Sequence, residues 1–164
     1  HERLVGSEMC IRDRTSSAIA GMTTAQIHTL DTADIQALGT DIANLNTAAE
    51  SELTSLQISV LTTAQVSNFD SVDVAALTSA AVVGLNSAQL AALSSSAFNA
   101  LGSDALDALT SSAISGMTAA QVDTLNSADV QALGTDIANM NTAAMASLDS
   151  AQICLLYTSD AADE

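Results

Sequence analysis

One positional rule governs most of this chain. From Thr15 to Leu156 the sequence divides into eighteen short units, TSSAIAGM, TTAQIHTL, DTADIQAL, then the seven-residue GTDIANL and so on, and every unit closes on an apolar residue. That residue is Leu in fourteen units, Met at Met22, Met117 and Met140, and Phe at Phe69. The fifth position, which is the fourth in the seven-residue units, is Ile, Val, Leu, Met or Phe except at Glu50. The first is always Thr, Ser, Asp, Asn or Gly, and the second is Ser or Thr except at Ala119. Internal periodicity of this kind decides the fold before any other feature.

Thr, Ser, Asp and Asn are the residues that cap helix N-termini, because their side-chain oxygens accept from free N–H groups of the first turn. Gln or Asp three residues later completes a capping box, as in Thr23/Gln26, Thr62/Gln65, Asn86/Gln89, Thr118/Gln121 and Asp149/Gln152. Each unit therefore reads as one helix of about six residues followed by an immediate restart. Positions 4, 5 and 8 then share a face. A single continuous helix does not fit, since its apolar stripe would rotate by about 80° per octad. A β-solenoid does not fit either, because positions 5 and 8 have opposite parity and would point to opposite faces of a sheet.

A longer period lies above the octad. Residues 15–49 return nearly unchanged as residues 110–144, and units sort in fours by their fourth residue. Gln recurs there in the units starting at Thr23, Thr54, Asn86, Thr118 and Asp149, and Ala in those starting at Thr15, Asn46, Thr78, Thr110 and Asn141. Short helices are unstable alone, so stacked repeats must bury a shared column. The expected fold is an all-α compact solenoid of short capped helices, one per octad, with four helices per 31–32-residue coil. Leu30, Ile35, Leu77, Val82, Leu93, Leu109, Val122 and Leu133 are the expected core. Helices should start one residue after each unit's first position, with breaks at Thr23, Asp31, Gly39 and their equivalents.

The ends depart from this pattern. Arg3, Arg12 and Arg14 are the three basic residues, and Cys10, Cys154 and Tyr157 also lie near the termini. The expected organisation is a non-repeat tail at 1–14, one array at 15–156 and a second tail at 157–164. Met9-Cys10-Ile11-Arg12-Asp13-Arg14 and the stretch from Cys154 (CLLYTSDAADE) resemble translated sequencing-adapter read-through. That resemblance implies that both ends are artefacts and that a natural chain continues beyond them. In its Ala/Ser/Thr/Leu-rich octads, the middle of the chain resembles repeat arrays of large bacterial secreted or surface proteins. This resemblance covers residues 15–153 and carries over no functional residue.

A net charge of −16 argues against nucleic acid as a partner, which needs Lys or Arg facing phosphate. No run of eighteen apolar residues occurs, so membrane insertion is not expected. No catalytic or cofactor motif is visible: an enzyme is not expected, and no cofactor. Asp41, Asp73, Asp104 and Asp136 recur in every fourth unit and would form an acidic stripe in a four-helix coil, the one candidate for cation binding. Helix N-terminal charge explains them equally well. Paired hydroxyls such as Thr23/Thr24 and Thr62/Thr63 would form a row suited to ice or glycan, although capping already uses the first of each pair. His28, at an outward position, stands without a second ligand; Asp123 and Asp129 read as solvated surface. Glu50, at a core position, either opens its coil locally or snorkels to water. The function expected from these features is a structural or interaction module, a piece of an extended array that spaces or displays other domains. The alternative is a ligand-binding repeat surface using the recurring Asp or Ser/Thr positions. The expected partners are neighbouring repeats or a second copy, end to end, in an extracellular or cell-surface setting.

Overall fold

In a computed structural model, which describes residues 15–160 (the last four by backbone alone), every element is a short helix, one per octad, from Ser16–Ala20 to Ser150–Asp160. Among the described residues there is no strand. Residues 1–14 and 161–164 lie outside the described part, and with them most of the two expected tails. Residues 157–160, assigned to the second tail from sequence, continue the last helix.

The caps work as the residue types dictate. Every unit that opens with Thr, Ser, Asp or Asn, apart from Thr15, uses that side chain to accept an N–H of its own first turn. The first residue is extended, near φ −90° and ψ 160° at Thr23 and Thr54. That extended residue, preceded at Leu30, Leu77, Leu93 and Met140 by a second extended one, turns the chain into the next helix, which starts at the second position as expected.

The three glycine-led units differ. Gly39, Gly102 and Gly134 have φ of 57°, 70° and 47°, a left-handed conformation that side chains resist. The preceding Leu38, Leu101 and Leu133 remain helical, and the new element starts at the glycine itself. The expected break at Gly39 is thus present as a left-handed corner, and the helix after it starts one residue earlier than expected. The seven-residue units form 3-10 helices, Gly39–Asn44 and Gly134–Asn139. At about 2.0 Å per residue against 1.5 Å for an α-helix, the tighter winding lets a unit one residue short span the same side of the coil.

Helices stack on helices three units away: Gly102–Asp107 on Ser127–Leu133, Ser71–Ala76 on Ser95–Asn99, Ser87–Ala92 on Ser111–Ile114, and Ser16–Ala20 on Gly39–Asn44. Hydrogen bonds reach further, joining residues 24 to 31 apart in sequence, as from Asn46 to Met22 and from Gln89 to Ile58. One turn therefore closes between three and four helices. The fourfold sorting of the sequence describes the hydrogen-bond register; helix packing follows a tighter count.

One continuous core runs through the stack. Ile35, Val82, Leu93, Leu109, Val122 and Leu133 are buried as expected, whereas Leu30 and Leu77 are only half-buried against the column. The fourth position has a second role. Gln57 Oε1 accepts from its own cap residue's N–H at 2.9 Å, while Nε2 donates to the carbonyls of Ile27 and Leu30 at 3.2 and 2.9 Å. Gln65, Gln89, Gln121 and Gln152 repeat this bracket on the preceding turn. Carbonyls at a helix C-terminus lack intrahelical donors, and the glutamine amide supplies them from the next turn. Asn46 and Asn141 do the same to Ala20/Met22 and Ser115/Met117.

Candidate functional site

The helix Thr47–Glu50, capped by Asn46, places its fifth-position residue on the column, as the other units inside the array do. Here that residue is Glu50. Its relative exposure is 1%, and among the described residues no donor reaches either carboxyl oxygen. The coil has not opened and the side chain does not snorkel, so both alternatives raised from sequence are corrected: stacking on the helix Ser71–Ala76 covers it completely.

Glu50 meets acid. Asp70 and Asp73 form the capping box of Ser71–Ala76, with Asp73 Oδ2 accepting from Asp70 N–H at 2.8 Å and Asp70 Oδ1 accepting from the N–H groups of Val72 and Asp73. Burial first, then the charge and hydrogen-bonding contact of Asp73, then the charge of Asp70, push the Glu50 carboxyl up to about 8. Two ionised carboxylates cannot hydrogen-bond each other. A proton on Glu50 turns this contact into an O–H···O bond.

The four recurring aspartates occupy separate settings. Asp41 and Asp136 sit in the first turns of the two 3-10 helices and accept from Asn44 and Asn139 respectively; Asp136 also accepts from the Ser111 hydroxyl at 3.0 Å. Asp73 belongs to the capping box beside Glu50, and Asp104 lies exposed in the first turn of Gly102–Asp107. Among the described residues, no three His, Cys, Asp or Glu side chains are grouped to hold a metal ion. Asp129, expected at the surface, is 4% exposed and accepts from Asn126 N–H at 3.0 Å.

The hydroxyl rows are partly covered. Thr24 and Thr63 are exposed, but Ser55 and Ser87 lie under the next turn, where Gly84 and Gly116 approach so closely that a Cβ would fall on their carbonyl oxygens. At the corresponding place above Ala119 stands Ser147, whose hydroxyl lies 3.5 Å from the Ala119 carbonyl. The one exception at the second position thus faces a hydroxyl from the turn that follows. His28 points outward and pairs with Glu52 of the next turn at 2.8 Å.

Sequence reasoning singled out Glu50 but missed its partner. The signal was a carboxylate at a core position, and finding Asp73 required the three-unit stacking.

A family model described as the ALTTAQ repeat matches residues 66–103. The chain is similar to that repeat over this stretch, and the repeat character is supported there. The letters correspond to a unit junction, the last two positions of one octad and the first four of the next, as in VLTTAQ at 60–65. Comparison with curated proteins and with solved structures finds no match.

Proposed function

We propose that this chain is a segment of an extended repeat array that acts as a spacer or display scaffold in a larger protein. The observation that carries this reading is the glutamine bracket. It recurs at Gln57, Gln65, Gln89, Gln121 and Gln152, and it needs nothing beyond a further turn of the same kind. The two ends of the described array are complementary halves of that interface. Ala18 and Gln26, fourth-position residues of the first two units, are exposed, and at the other end so are the fifth-position Met145 and Ile153, at 37% and 41%. The immediate partners are then neighbouring repeats, or a second copy stacked end to end. The reading is non-catalytic. An acidic array without Lys or Arg suits an extracellular or cell-surface setting, where net charge keeps it soluble.

Proteins carrying extra copies of the 31–32-residue period test the scaffold. Small-angle scattering should show a maximum dimension that grows by roughly 8–10 Å per added turn, one helix–helix spacing, with a rising urea midpoint. A dimension that does not grow would overturn the proposal. A midpoint shifted by calcium or by a glycan would favour a binding surface instead.

A further inference from the structure

The Glu50 seam departs from the structural logic of every other turn. The equivalent position in units of the same class holds Ile19, Val82 and Ile114, all buried, and Met145, which is exposed at the far end of the described array. A buried carboxyl without a donor is costly, and the elements packed against Thr47–Glu50 supply none. From Ser71–Ala76 and its cap come Asp70 and Asp73, both acidic. From Thr24–Thr29 comes His28, which is engaged with Glu52 at 2.8 Å. Asp73 Oδ2 already serves the Asp70 N–H, and the Asp73 carboxylate is the acceptor beside Glu50 that a protonated Glu50 would meet.

We infer that one proton shared between Glu50 and Asp73 closes the seam between Thr47–Glu50 and Ser71–Ala76, and that its loss to solvent base opens the array locally at that turn. No bond other than the O–H of Glu50 breaks. The ionised pair places two adjacent carboxylates inside an apolar column, and separation of the two helices restores their hydration. The remaining turns close on apolar fifth-position residues, alanines and glutamine amides, and the one other buried carboxylate, Asp129, has a donor in the Asn126 N–H, so opening stays confined to residues 46–53 and 70–77.

Hydrogen exchange on the full chain, expressed as protection factors to remove intrinsic base catalysis, tests this at pH 6 and pH 9. Protection in 47–53 and 70–77 should fall at least tenfold on going to pH 9, while 111–133 changes less than twofold. Glu50→Gln, whose amide donates to Asp73 without titrating, should hold protection at both pH values; Glu50→Val, matching Val82, serves if the amide variant folds poorly. Equal loss in wild type and variant, or no loss in wild type, overturns the proposal. So does a wild-type protein whose protection at pH 9 is restored by calcium and removed by EDTA, because the pair would then hold a cation rather than a proton.

Discussion

Residues 15–49 and 110–144 are close to the same sequence, yet the structure treats them differently. Gln121 is 1% exposed and donates to Leu90 and Leu93, whereas its counterpart Gln26 is exposed and, among the described residues, its side chain is engaged only in its own capping box. Ala113 is fully buried and Ala18 exposed; Asp129 is buried and Asp34 half-buried. The fifth positions do not diverge: Ile27 and Val122, Ile35 and Val130 are all fully buried. At the far end the pattern inverts, with Ala144 and Gln152 buried while Met145 and Ile153 are exposed. The fourth position therefore faces the preceding turn and the fifth faces the column and the following turn. The copy at 110–144 has a described turn before it, and the copy at 15–49 begins the described array.

Substitutions at matched positions can break this comparison. The largest effect is expected at glycine. Gly116 lies against the Ser87 backbone, and a methyl there collides with main chain that cannot move aside, whereas Gly21 has only ordinary contacts of 3.6 and 3.7 Å. Gly116→Ala should cost more than about 4 kcal/mol or prevent folding. Gly21→Ala, at a φ of −88°, should change stability by less than about 1 kcal/mol. Circular dichroism in urea reads both, and equal costs would mean that the turns are not in this register.

Next comes Glu50, whose counterpart in the second copy is the half-exposed Met145. Its carboxyl ordinarily titrates near 4.5 and is raised to about 8 in the fold. The native state therefore holds a proton that the unfolded chain releases. The associated stability is present in full below the unfolded value and is lost as pH rises to about 8. Between pH 5 and 8 wild type should lose roughly 3–4 kcal/mol relative to Glu50→Val. Parallel curves for the two proteins would refute this.

Smaller is the glutamine pair. Gln121→Ala removes a buried donor from two carbonyls and should cost roughly 2–3 kcal/mol, against less than about 1 kcal/mol for Gln26→Ala, which loses only its capping box. The smallest difference is expected at asparagine. Asn46 and Asn141 each cap a helix and donate to the preceding turn, so their Ala variants should agree within about 0.5 kcal/mol. A larger gap would show that the copies differ beyond their neighbours.

Much of this architecture is legible from octads alone. Five capping boxes named from spacing, at Thr23, Thr62, Asn86, Thr118 and Asp149, are all formed. The reach of Gln57 to Ile27 was hidden, because a side chain that satisfies its own helix gives no sign that its other end bonds elsewhere. Asp129 was misplaced for a related reason: a cap residue's burial depends on the turn that covers it. The Asp70–Asp73 box looks like ordinary capping, and only contact with Glu50 gives it a second meaning.

What the chain's own order of residues determines is everything settled within about four positions: where each helix starts, which residue caps it, and which fifth and eighth positions are apolar. Those follow from hydrogen bonds and contacts between near neighbours, whose geometry the backbone itself dictates. Tertiary structure alone decided how many helices close a turn, which fourth-position side chains are buried, that Gly116 must lack a side chain and that Glu50 is buried beside Asp73. Each of these depends on residues 23 to 31 positions away, brought together by stacking, and the spacing of neighbours along the chain carries no information about that angle.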